Sequence, residues 1–269
     1  MGQMISSLKF LFIGLLLTTS VINAGVDLTP RSGISLNAEL GKVSQGSIVL
    51  KPDASQISAV RYRLHSLQLN DYKINPNRLK VKTLYTIGAE SLDLYRTFLS
   101  GNENTNQVNA DFEFEPEWSD APGVYMGSLV STNDVPTIPV KITIVPKTVV
   151  SLQPAIFSIN SSLVNAPIAH EVSVLLGSNS PHWELYLNTD HFIQEATDEK
   201  INADRIFVRI KDEINPRPWL ALDKMLKIIS GVATPITTIT ILEFLVSSER
   251  ADRAGEYLGN IKFLVRNIN

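Results

Sequence analysis

The pattern D-x-x-G-x-Y-x-G occurs twice in this chain, and the second occurrence limits what the rest can fold into. Asp120-Ala121-Pro122-Gly123-Val124-Tyr125-Met126-Gly127 returns as Asp252-Arg253-Ala254-Gly255-Glu256-Tyr257-Leu258-Gly259. The first glycine of each copy permits a tight corner at backbone angles that other residues avoid. The tyrosine two positions later starts an alternating run. Tyr257, Gly259, Ile261, Phe263 and Val265 share one face, against Leu258, Asn260, Lys262, Leu264 and Arg266 on the other, which is the pattern of a strand with one buried face. The repeat also extends upstream. Arg78-Leu79-Lys80-Val81-Lys82 matches Arg205-Ile206-Phe207-Val208-Arg209, Leu92-Asp93 matches Leu222-Asp223, and Ser100-Gly101 matches Ser230-Gly231. Each half reads as a strand, a short helix or loop ending in Ser-Gly, a strand, the corner and a further strand. With 269 residues and 44% hydrophobic content there is enough apolar surface for two cores. The expectation is two related domains, 25–147 and 148–269, meeting at Pro146-Lys147.

Alternation elsewhere agrees with an all-β chain. Residues 34–40, 60–69, 107–115 and 140–144 each place apolar side chains at every second position, with turn chemistry at Lys51-Pro52-Asp53 and Asn75-Pro76-Asn77 between them. In the second half, 148–152, 156–159, 171–176, 183–187, the strand opening at Arg205 and 237–246 read the same way. Only 219–229 has helical spacing, with Leu222, Met225, Leu226 and Ile229 on one stripe opposite Asp223, Lys224 and Lys227. It predicts a short amphipathic crossover helix that covers one end of its sandwich.

The corner resembles the tyrosine corner of immunoglobulin-like folds, in which a Tyr hydroxyl bonds back to the backbone and a small residue or Cys follows two positions later. Gly127 and Gly259 stand at that later position. The likeness covers about a dozen residues per half, lacks the Cys and core Trp of antibody domains, and implies tandem bacterial immunoglobulin-like β-sandwiches.

Compartment is read from the first residues and from cysteine. Lys9, the apolar run 10–17 and a small residue at Ala24 predict a secretory signal peptide over 1–24. The apolar run is too short to span a bilayer, which takes roughly 20 residues, and no later stretch is long and apolar enough, so no membrane insertion is expected after cleavage. The chain contains no Cys. That excludes disulfides, thiol catalysis and Cys-ligated zinc, and it favours a bacterial exported protein, periplasmic or extracellular. A formal net charge of -3 with scattered Lys and Arg makes nucleic acid an unsuitable partner.

Few residues nominate chemistry. His182, Asp190 and His191 form the one local group of potential metal ligands, but an extended strand between them would hold the two His apart. Asp111, Glu113 and Glu115, with Glu117 and Asp120 beyond, make the densest acidic face. Calcium needs convergent oxygens, whereas a strand spreads them, so charges that guard a sheet edge are the plainer reading. There is no G-x-S-x-G elbow or Gly-rich phosphate loop. Trp118, Trp183 and Trp219 would suit a sugar-stacking platform only if they came together. No catalytic residue, cofactor or metal is therefore expected.

These observations predict an exported, non-enzymatic protein that works through contacts with other envelope or surface proteins as an adhesive, fibre-subunit or structural module. A periplasmic chaperone for fibre subunits and a carbohydrate-binding module are the alternatives. The repeat also breaks at one point. The first half continues past its corner strand into Val140-Lys141-Ile142-Thr143-Ile144, whereas the second runs to Asn269, just past Val265. The expectation is an open edge beside the Tyr257 strand, filled either by 148–152 or 156–159 of the same half or by a strand from another molecule. The alternating row Ile34, Leu36, Ala38 and Leu40 is the candidate donor for self-association by strand addition.

Overall fold

A computed structural model describes residues 26–29, 31–52, 59–100, 107–132, 135–154, 159–161, 169–194, 196–215, 217–247, 249 and 252–268. The expected leader 1–24 lies outside them, as do three of the four residues of the expected 156–159 strand.

Alternating residues become strands throughout. The first half holds β1 (Val26–Thr29), β2 (Ile34–Ala38), β3 (Ser44–Pro52), β4 (Val60–Leu69), β5 (Tyr72–Ile74) and β6 (Lys80–Lys82). It continues with β7 (Glu90–Ser91), β8 (Arg96–Leu99), β9 (Val108–Phe114), β10 (Gly123–Ser131) and β11 (Ile138–Ile144). The second half holds β12 (Thr148–Gln153), β13 (Ile159–Ser161), β14 (His170–Ser178), β15 (His182–Ile193) and β16 (Lys200–Asn202). Then come β17 (Ile206–Ile210), β18 (Leu220–Ala221), β19 (Leu226–Gly231), β20 (Thr234–Val246) and β21 (Gly255–Ile268).

The strands form four open sheets, two per half. One sheet of the first half runs β1-β3-β9-β6-β7, and its counterpart in the second runs β12-β14-β20-β17-β18. The other sheets are β2-β11-β10-β4-β5, with β8 also on β4, and β13-β21-β15-β16, with β19 also on β15. Apolar rows from the two sheets of each half meet in separate cores, one including Leu36, Tyr62, Phe98, Phe112 and Ile142, the other Val174, Leu185, Phe192, Val208 and Phe244. The architecture is all-β: two clusters of open sheets, each with its own core, consistent with tandem sandwiches.

The crossover helix expected over 219–229 is not formed. β18 and β19 occupy the segment, joined through 222–225. A helix would have put Leu222 and Met225 on one face, yet Leu222 is fully buried while Met225 is 54% exposed. The Leu222 N–H donates to the Ile206 carbonyl at 2.8 Å, as Leu92 does to Leu79 at 3.0 Å, and β19 pairs with β15. Tertiary pairing thus satisfied the backbone that a helix would have satisfied internally, and an apolar spacing over only eleven residues was too short to decide between them.

The halves touch at residues 145–147. The buried Asn179 side chain accepts from the Lys147 N–H at 2.8 Å and donates to the Val145 carbonyl at 3.2 Å, and Lys147 Nζ reaches the Leu40 carbonyl at 2.8 Å.

Candidate functional site

Each corner is built around an Arg–Asp pair. Arg78 Nη1 and Nη2 donate to Asp120 Oδ1 and Oδ2 at 2.7 and 2.8 Å, and Nη2 also donates to the Glu115 carbonyl at 2.6 Å. In the second half Arg205 donates to both oxygens of Asp252, through Nη1 at 3.0 Å and through Nη2, and Nη2 reaches the Ser247 carbonyl at 2.7 Å. Each Asp also accepts a backbone N–H three residues upstream, from Glu117 and from Glu249. Arg205 beside Asp252 holds that carboxyl below its ordinary range. Both pairs are largely shielded from water, so the hydrogen bonds to charge fix the chain as it enters the corner.

The chain then turns at Gly123 (φ 141°) and Gly255 (φ 155°), angles that side chains other than glycine's rarely allow. Tyr125 and Tyr257 are buried, and each hydroxyl donates to a carbonyl four residues upstream, Ala121 and Arg253, at 3.0 Å. Burial raises both phenols, Tyr125 to about 12. Two residues on, Gly127 and Gly259 lie beside irregularities in the β10–β4 and β21–β15 ladders. A Cβ on Gly127 would sit 1.8 Å from the Ser66 carbonyl oxygen, and one on Gly259 2.6 Å from the Phe192 ring. The corners set the direction of β10 and β21.

Past the corners the halves diverge. β11 runs antiparallel to β10 along 123–129, with Ile142 opposite Tyr125, Val140 opposite Gly127 and Ile138 opposite Leu129. β2 then lies parallel to β11. Their apolar rows, Ile138, Val140, Ile142 and Ile144 with Ile34, Leu36 and Ala38, are buried, and so is Leu40 just beyond β2. The row considered above as a strand donor is therefore committed to its own core. On β21 the matching side is paired, among the described residues, at 255–257 by β13. From 258 to 268 its sole described neighbour is β15 on the opposite side.

This edge is apolar as well as unpaired. Ile261, Phe263 and Val265 pack on the second core but stay only partly covered, as do Val150 and Leu152 of β12, the edge strand of the facing sheet. Thr148 Oγ1 donates to Asn267 Oδ1 at 3.1 Å, joining the two edges at one end. Leu264, on the outward face, is 50% exposed, and Lys262 beside it pairs with Asp190 at 2.8 Å. Among the described residues this is where the second core lacks the cover that the first has.

The other candidates do not converge. His182 and His191 lie nine residues apart on β15, roughly 30 Å of extended chain, and no group of three His, Asp or Glu among the described residues could hold a metal ion. Asp111 and Glu113 stand opposite Lys82 and Lys80 of β6, a cross-strand charge match, while Asp120 is buried in the corner. Trp183 is buried with Nε1 donating to the Val232 carbonyl at 2.7 Å, Trp219 lies under the Arg209 guanidinium, and the Trp118 ring reaches toward Gly177 of the other half. The three indoles occupy different settings.

The sequence named the corner Asp, Gly and Tyr without pairing Arg78 with Asp120 or Arg205 with Asp252. The signal was present, because both arginines open the upstream repeat and a Glu precedes each Asp by three. Val150 and Leu152 carried no signal as walls of the same edge, since they come from the facing sheet.

No protein family matches the sequence, and no curated protein matches it. A chain of the chaperone–tip adhesion subunit pre-assembly complex from the archaic chaperone-usher Csu pili of Acinetobacter baumannii is similar over 89% of this chain and 99% of its own, at 11% identity and TM-score 0.38. A chaperone–tip adhesin complex of CFA/I fimbriae biogenesis is similar over 79% and 100%, at 8% and 0.29, and titin A168–A169 over 90% and 97%, at 11% and 0.30. At these identities and scores the likenesses carry no argument about this chain.

Proposed function

We propose that this is an exported bacterial protein of two tandem sandwiches, 25–147 and 148–269, that acts without catalysis through contacts with other envelope or surface proteins, as an adhesive, fibre-subunit or structural module. The observation that carries this reading is the half-covered apolar row Ile261, Phe263 and Val265 of β21, whose strand has β15 as its one neighbour from 258 to 268 among the described residues. An unpaired backbone row flanked by half-covered apolar side chains is the kind of surface that recruits another chain, and folds that do not use such an edge normally blunt or cover it. The first half covers the equivalent edge with β11 and β2. The second has the same corner and the same inward row, with β13 at 255–257 as its cover among the described residues.

The test is a photo-crosslinking amino acid placed at Leu264 in the native cell, with Val43, an equally exposed residue of the first half, as the control position. A discrete adduct with an envelope protein from position 264 and none from 43 is expected, on a mature chain that begins at Gly25. Equal labelling from the two positions, or none from 264, overturns the reading.

A further inference from the structure

We propose that Asn179 locks the two sandwiches into one rigid body, its side chain closing the gap between a sheet of the first half and a sheet of the second. Tandem domains ordinarily move relative to one another unless a substantial contact holds them. This coupling is independent of how the β21 edge is used.

Three residues, 145–147, separate β11 from β12, and the ladders on both sides run on into them. β2 and β11 pair as far as Ala38 and Ile144, and the Val145 N–H then donates to the Ala38 carbonyl at 2.9 Å. On the other side β12 and β14 start with Thr148 opposite Ser178. Lys147 and Asn179 make the next rung, and half of it comes from a side chain. The Asn179 N–H donates to the Lys147 carbonyl at 3.2 Å, while the Lys147 N–H donates to Asn179 Oδ1 at 2.8 Å. Asn179 Nδ2 then reaches back past Pro146 to the Val145 carbonyl at 3.2 Å. Pro146 alone stands between the two ladders, and one amide spans it.

The residue types suit this use. A carboxamide carries both a donor and an acceptor, so one side chain can take the carbonyl before Pro146 and the N–H after it. Proline has a fixed φ and no N–H, and it restricts the residue before it, so the covalent path through Val145 and Pro146 is already stiff. Ser178, Asn179 and Ser180 are all fully buried. A buried amide stripped of its partners is costly, so swinging the first half away is opposed by that desolvation cost and not merely by the small net worth of a hydrogen bond. Two further contacts act beside the amide. Lys147 Nζ donates to the Leu40 carbonyl of the first half at 2.8 Å, and a Cβ on Gly177 would lie 3.1 Å from the Trp118 ring, so glycine on β14 lets an indole of the first half come close.

The experiment is nuclear magnetic resonance on residues 25–269, with amide nitrogen relaxation giving the tumbling time of each half and residual dipolar couplings its orientation. One tumbling time and one alignment tensor should fit both halves of the unaltered protein. Asn179→Ala should split them into two tensors, with tumbling times about 1.5-fold shorter, while amide shifts away from the junction stay in place and so distinguish release from unfolding. Lys147→Met removes the ammonium, keeps the backbone bonds to Asn179 and should leave one tensor. Two tensors in the unaltered protein overturn the rigid body. A single tensor in Asn179→Ala, or the same splitting from Lys147→Met, puts the lock elsewhere and overturns the assignment to Asn179. Should Asn179→Ala fail to fold, Asn179→Asp takes its place: its carboxylate still accepts from the Lys147 N–H but has no proton for the Val145 carbonyl. Splitting is expected there too, and one unchanged tensor overturns the proposal.

Discussion

Beside Tyr125 the chain lays β11 along residues 123–129 and β2 beyond it; beside Tyr257 the described neighbour on that side is β13, opposite 255–257. Everything leading into those two tyrosines is alike. The Arg–Asp pair, the glycine at positive φ, the hydroxyl bonded four residues back and the glycine at the ladder irregularity occur in both halves. The corner keeps one geometry beside the seven pairs of β11 and beside the three described pairs of β13. The difference therefore separates two jobs: the corner orients its strand in each half, and the edge beyond it is free to vary.

The largest expected effect is on stability. Fragments 25–147 and 148–269 should each fold, as units with their own cores, but the second should be less stable. Five side chains left half-covered, at about 1 kcal/mol each, amount to a deficit of about 5 kcal/mol. Urea unfolding followed by circular dichroism measures it. Equal midpoints and slopes for the two fragments would mean that the second edge is covered after all, and a failure of either fragment to fold would show that the halves are not independent.

The paired glycines sharpen the same comparison. Gly127→Ala drives a methyl into the Ser66 carbonyl, which is backbone, whereas Gly259→Ala meets the Phe192 ring, which can rotate away. The expected costs are about 3 kcal/mol and about 1 kcal/mol respectively. A larger loss at Gly259 would show that the second corner is the more rigid.

Tyr125→Phe and Tyr257→Phe each remove a hydroxyl bond to the carbonyl four residues upstream, and the second also a longer contact with Glu199; each should cost about 1 kcal/mol. The corner assignment fails if neither substitution lowers the unfolding midpoint. Smallest is the effect of acid. Asp252 is held below its ordinary carboxylate value of 3.8 in the folded state, so its contribution is complete above that value and is lost as pH falls through the depressed one. Asp252→Asn should flatten the acid limb of a stability–pH curve. An unchanged limb would mean that Arg205 does not favour the charged form.

Local pattern was enough to read the all-β class and most strand positions, because period-two burial is a demand made within a few residues. Arg78 and Asp120 were visible as repeated residues but not as partners, since 42 positions separate them. The segment 219–229 failed for the reverse reason: its spacing suited a helix, and only pairing with β15 and β17 made it extended. The sequence alone thus determined which residues turn and which face inward, since each depends on nearest neighbours and side-chain chemistry. Tertiary structure alone decided that Ile34, Leu36 and Ala38 are buried beside β11, while Ile261, Phe263 and Val265 remain half-covered with Val150 and Leu152. These rows have the same alternating pattern, and what distinguishes them is which distant strand lies alongside.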